Sequence, residues 1–138
     1  NGTFGDDLWK FDGSDWKQLR DIANNDSDED YDDDYAITRA GTVSFVIDGR
    51  GYIATGTRSG VTSDYWVYDP EEDLWYGDSD DDYTPMTNVH NVSSGGSSRS
   101  YAVSFSTGKR GFVLSGSSGT SYFDDVYELL PYEQEDVD

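Results

Sequence analysis

The 138-residue chain contains no cysteine. Disulfides, thiolate metal centres and cysteine nucleophiles are therefore excluded, while the absence itself is compatible with any redox compartment. Histidine is nearly as scarce. His90 stands alone in the polar segment TNVHNVSS with no nucleophile motif beside it, and a lone loop histidine is a bystander more often than a base. Only 9 basic residues face 29 acidic ones, for a net charge of -20. Nucleic acid is excluded as a partner, because binding it takes many lysines and arginines to displace counterions, and anionic membrane surfaces are excluded for the same reason. No apolar run approaches about eighteen residues, so no segment has the length of a membrane-spanning helix. No stretch sustains a 3.6-residue apolar period, which predicts almost no helix. Phosphate loops are missing too, since GTRSG and SGSSG sit at strand ends before further strands rather than opening a helix. The first residues hold neither an initiating methionine nor a signal sequence, which leads us to expect a processed chain or an excised piece.

What the chain does have is aromatics, at 15% with eleven tyrosines, and a long internal echo. Tyrosine and tryptophan rings can fill a thin sheet-based core while their polar ends stay wet. The stretch from Arg39 to Trp75 recurs sixty residues later, from Arg99 to Pro131. Arg39 matches Arg99, Val43 matches Val103, Phe45 matches Phe105, Gly51 matches Gly111, Tyr52 matches Phe112 and Gly56 matches Gly116. DDLWKFDGSDW at Asp6 to Trp16 echoes the end of the same unit, SDYWVYDPEEDLW at Ser63 to Trp75. Self-similarity at a long fixed period means a repeat architecture.

Each full copy divides into short strand-like runs. Thr42 to Ile47 is β-branched and aromatic, DGRG at Asp48 to Gly51 has hairpin chemistry, and Gly51 to Thr55 returns. A Gly/Ser/Thr loop leads to a third strand, Asp64 to Tyr68, and Leu74 to Tyr76 begins a fourth. The second copy repeats the scheme at Ala102 to Ser106, Gly111 to Ser115 and Asp125 to Leu129, and its acidic tail, 132–138, is too polar for a packed fourth strand. The chain thus reads as one all-β segment over 1–138. It comprises a half repeat at 1–20, a full repeat at 39–76 and a repeat lacking a clear fourth strand at 99–131, with inserted loops at 21–38 and 77–98.

The glycines Gly56 and Gly116 after Tyr52 and Phe112, with Tyr68 and Trp75 in the middle copy and Phe11 and Trp16 in the first, resemble the kelch motif. The phrase DYWVYDP around Trp66 is similar to bacterial kelch sequences related to galactose-oxidase-like propellers. The resemblance implies blades of a β-propeller, each a twisted four-stranded antiparallel sheet. Two departures are plain. The family's double glycine is reduced to Thr55-Gly56 and Ser115-Gly116, and the last copy carries Tyr127 and Leu129 where Trp66 and Tyr68 stood and lacks the fourth-strand tryptophan. A kelch propeller closes with more blades than these, so the chain is expected to be an incomplete propeller, continued by further blades of a parent chain or by other copies. Copper oxidase chemistry of the galactose-oxidase kind needs several histidines and a tyrosine cross-linked to cysteine, so it is excluded for these residues.

Three sets of side chains remain as candidates. Asp26, Asp28 and Asp30 share D-x-D-x-D spacing with Asp78, Asp80 and Asp82, and alternate carboxylates of a turning loop can converge on Ca²⁺. Neither loop has the central glycine or distal glutamate of an EF-hand, and a strongly hydrated surface accounts for the same acids. Arg39 and Arg99 open equivalent first strands and Arg58 follows the second strand. The resemblance places these loops on one ligand-binding face, where arginines can grip a carboxylate in bidentate fashion; the alternative is that a repeated arginine locks blades through carbonyls and aspartates. Asp7, Asp64 and Asp125 recur before the third strand as loop hydrogen-bonders. Three sequons, at Asn1, Asn25 and Asn91, would be used only in a eukaryotic secretory pathway.

The expected function is a non-catalytic binding or assembly module, secreted, on the cell surface or periplasmic, that contacts a protein or glycan through its inter-repeat loops. It needs no cofactor beyond the calcium that the acidic loops would hold. One alternative is a fragment of a carbohydrate-active kelch enzyme similar to sialic-acid epimerases. Another is a subunit of an extracellular polymer, with bare blade faces driving association.

Overall fold

A computed structural model describes residues 4–19, 21–22, 37–77, 86–88 and 97–129. Among these residues there is no helix, and every strand pairing is antiparallel, in three small sheets. The chain is all-β, as its short alternating runs predict. It divides into two compact units, Asn1–Arg39 and Ala40–Asp138.

The smaller unit holds one hairpin, β1 (Trp9–Phe11) against β2 (Trp16–Gln18), in the register Trp9 to Gln18 and Phe11 to Trp16. Asp12 makes the turn. Its Oδ1 accepts hydrogen bonds from the backbone N–H groups of Ser14 and Asp15, both at 2.9 Å, and Gly13 supplies a φ of 106°. The Phe11 and Trp16 rings lie 4.9 Å apart across the pair.

The larger unit contains two four-stranded sheets. The first is a meander of β3 (Val43–Ile47), β4 (Arg50–Ala54), β5 (Tyr65–Asp69) and β6 (Leu74–Gly77). The second is built from β7 (Met86–Asn88), β8 (Val103–Ser106), β9 (Gly111–Leu114) and β10 (Val126–Leu129), in the spatial order β7-β10-β9-β8. Its outer strand therefore differs from the sequence expectation. The fourth position of the second copy is filled by residues upstream of that copy, with Met86 opposite Leu129 and Asn88 opposite Tyr127. A strand of three residues, within a segment read as loop, is too short to carry an alternation signal.

Burial follows the two-residue period of strands. Along β3, Val43, Phe45 and Ile47 are buried while Ser44 and Val46 are exposed. The buried set joins Tyr52, Ala54, Tyr65 and Val67 of the same sheet with Val113 and Leu129 of the other, so the two sheets share one core. β3 lies against β8 and β9, and Ile47 makes a parallel bridge to Gly108. The Phe45 ring sits directly over Gly111, where a Cβ would overlap it.

The two copies superpose in their main-chain bonding. Thr57 N–H donates to Ala40 O at 2.8 Å as Ser117 N–H does to Ser100 O at 2.9 Å, and Thr62 N–H donates to Gly56 O as Phe123 N–H does to Gly116 O, both at 3.0 Å. The chain leaves the second strand through two consecutive left-handed residues, Thr55-Gly56 (φ 63° and 102°) and Ser115-Gly116 (φ 57° and 93°). The second of each pair must be glycine, because a Cβ would stand 2.8 Å from the carbonyl oxygen of Ala40 or Ser100. The first carries a side chain at a conformational cost of about 1 kcal/mol. Ser115 is exposed, so Ser115→Gly is expected to raise stability by up to about 1 kcal/mol. A urea midpoint that rises at unchanged m-value would verify this.

Candidate functional site

Local bonding accounts for the recurring aspartates. Asp7 Oδ2 accepts from Trp9 Nε1 at 2.6 Å, and Asp64 Oδ2 accepts from Trp66 Nε1 at 3.3 Å. Residues two apart in extended chain share a face, so each carboxylate meets the indole it precedes. Asp125 has a tyrosine, Tyr127, two residues on, and its carboxylate accepts from Tyr127 and also takes an arginine.

That arginine is Arg99, 1% exposed and among the largest fully buried side chains. Its Nη1 and Nη2 grip the two oxygens of Asp125 at 2.5 and 3.0 Å, Nη1 also donates to Ser115 O at 2.8 Å, and Nε donates to Ser97 O at 3.1 Å. The guanidinium lies 4.4 Å from the Phe123 ring centroid and 4.7 Å from that of Tyr127. Its main chain bridges the copies, with Arg99 N–H on Thr62 O and Gly56 N–H on Arg99 O. The carboxylate that Arg99 grips in bidentate fashion belongs to the chain itself. The Arg99 hydrogen bond holds the Asp125 carboxyl below the usual aspartate range, against the opposing effect of burial.

The other two arginines are less buried. Arg39 repeats the bond to the carbonyl two residues back, Nε to Ile37 O at 2.9 Å, and is half-buried. Arg58 is exposed in the loop after β4, where its N–H donates to Gly60 O at 3.1 Å. The proposed cation ligands Asp26, Asp28, Asp30, Asp78, Asp80 and Asp82, together with His90, lie outside the described residues. Among the described residues, no three His, Cys, Asp or Glu side chains come together as a metal group.

Bare apolar sheet faces are expected from the sequence, which does not say where one lies; the structure locates one. In the first copy Val43 and Phe45 are 6% and 8% exposed, because the second sheet covers them. At the matching positions of the second copy, Val103 and Phe105 are 61% and 49% exposed. The geometry beneath is the same in both. Phe45 stacks on Tyr52 at 5.7 Å, and Phe105 stacks on Phe112 at 4.6 Å. Cross-strand neighbours in register, Val103 with Leu114 and Phe105 with Phe112, make the patch continuous. A charged border flanks it, where Arg110 lies over the Phe112 ring at 5.1 Å and pairs with Glu128 through Nε and Nη2. Exposed apolar surface rimmed by polar groups marks an interaction site. The signal was present in the sequence as the Val43/Val103 and Phe45/Phe105 matches, which speak for the repeat and not for which copy is covered.

No protein-family model matches the chain, and a comparison with curated proteins finds no relative.

Proposed function

We propose that this chain is a non-catalytic binding and assembly module made of kelch-type propeller blades, acting outside the cytoplasm on a protein or glycan partner. One observation carries the proposal: apolar positions buried between sheets in the first copy stand open in the second. Such a face is adapted to contact rather than to chemistry, since it offers stacked rings and aliphatic surface with no acid–base pair at its centre. The family assignment rests on the recurring glycine, aromatic and tryptophan positions, and is supported by two four-stranded antiparallel sheets packed face to face.

Two measurements test this. A screen against sugars is expected to give no product; turnover or epimerisation would overturn the non-catalytic assignment in favour of a carbohydrate-active enzyme. On dilute protein, Phe105→Ser is expected to leave the urea midpoint within about 0.5 kcal/mol of the parent, as for a surface site. A loss of about 3 kcal/mol, typical of a core phenylalanine, would show that Phe105 serves the fold and not an interface.

A further inference from the structure

We infer that two copies of this chain associate head to tail, the Phe105 face of one seating over Gly51 of the other. The inference rests on the assembly function proposed above and names its partner. The template is the sheet-on-sheet contact inside the chain. There the Val43, Phe45 and Ile47 face of the first sheet covers the second, with the Phe45 ring over Gly111. Ser104 Oγ donates to Ser44 O at 2.9 Å, Tyr101 N–H to Gly41 O at 2.9 Å, and Asp48 N–H to Gly108 O at 2.9 Å.

A shift of sixty residues maps both halves of this contact onto uncovered surface. The ring that plugs, Phe45, becomes Phe105, which is exposed. The notch that receives it, Gly111, becomes Gly51, where a Cβ would meet nothing nearer than Tyr68 Cβ at 3.8 Å. Around Gly51 the face is open, with its register partner Val46 51% exposed and Ser44 also exposed. The hydroxyl donor and carbonyl acceptor are retained as well, because serine occupies both positions 44 and 104. Each copy therefore carries one exposed ring as plug and one uncovered glycine as socket, with Thr107 in the place of Ile47 and Tyr68 in the place of Leu129. Such an interface is heterologous, and it builds rings or open filaments according to whether the rotation closes.

Charge sets how the association depends on salt. Lys109 pairs with Asp48 at 2.6 Å in the internal contact, but the shifted positions are Gly49 and Gly108, so the external version has no such ion pair. Each copy carries a net charge of -20, which opposes the encounter. Raising salt from about 0.1 to about 1 M shortens the screening length from about 10 to about 3 Å, and association is expected to strengthen.

Sedimentation equilibrium over a dilution series at both salt concentrations tests the inference. The parent protein is expected to gain mass with concentration, more so at high salt. Phe105→Ser and Gly51→Val are each expected to weaken self-association by at least about tenfold. Mixing the two variants is expected to restore a one-to-one dimer and nothing larger, because one retains the socket and the other the plug. Circular dichroism on each variant verifies that the fold is kept. A parent that stays monomeric at every concentration and salt overturns the inference, as does undiminished association by Gly51→Val. Either result leaves the non-catalytic assignment standing, since only turnover overturns that.

Discussion

Gly111→Val is expected to destabilise the protein by about 3 kcal/mol, whereas Gly51→Val, its counterpart sixty residues earlier, is expected to be neutral or slightly stabilising. Gly111 opens β9 and Gly51 is the second residue of β4, and each faces the third strand of its copy across a regular ladder, Gly51 opposite Tyr68 and Gly111 opposite Leu129. Neither needs a left-handed backbone, so β-branching alone would favour valine at either position. The difference lies in what covers them. A Cβ at Gly111 would overlap the Phe45 ring and stand 3.0 Å from Ile47 Cδ1. Phe45 cannot retreat, since it is buried and stacked on Tyr52 with nearly parallel planes, 6° apart. Ile47 is tied by its pairing to Arg50 and its bridge to Gly108. The added methyls would therefore wedge the two sheets apart and expose their shared core, and overpacking of this kind costs typically about 1–3 kcal/mol. Urea midpoints of the two variants, measured on dilute protein, decide it. Equal effects would show that the sheets are not held by a ring on glycine.

This pair also marks how far the sequence could be read. The echo from Arg39 to Trp75 and Arg99 to Pro131 located seven strands of the larger unit to within a residue or two, because alternation and turn glycines are local signals. The pair Trp9–Phe11 and Trp16–Gln18 was legible only as an echo, DDLWKFDGSDW against the unit's end SDYWVYDPEEDLW. Strand β7 was not, as three residues hold no period and the pairing with β10 spans some forty residues of chain. The candidate face was legible in composition but not in position. Phe45 and Phe105 are the same residue in the same phrase, and only the placement of one sheet over the other makes the first core and the second surface. The role of Arg99 was half legible. Bidentate geometry toward a carboxylate follows from the guanidinium, but the identity of that carboxylate, Asp125, depends on how the loop before β10 closes.

Arg99→Met is expected to cost about 3 kcal/mol, the lower end of the range for breaking a buried ion pair, because Asp125 retains some contact with water. The loss has three parts. The carboxylate of Asp125 is left without its bidentate partner, Ser115 O loses the Nη1 donor at 2.8 Å, and the space between the Phe123 and Tyr127 rings loses its planar cation. Arg99→Lys is expected to recover only part of this, since an ammonium cannot reach both carboxylate oxygens and a carbonyl while stacking between two rings. Removing both charges, in Arg99→Met with Asp125→Leu, is expected to restore most of the stability, because no uncompensated charge then remains. Acid titration separates this ion pair from simple packing. The folded state holds Asp125 below its ordinary value of 3.8, so the stability it contributes is complete above that pH and is lost as pH falls through the depressed value. The gap between the parent and Arg99→Met should therefore narrow as pH drops below about 3.8 and close once pH lies below the depressed value, where the carboxyl is protonated in both. A gap that stays constant down to pH 2 or so would mean that Arg99 stabilises the fold by filling space between rings, and that its bond to Asp125 contributes nothing net.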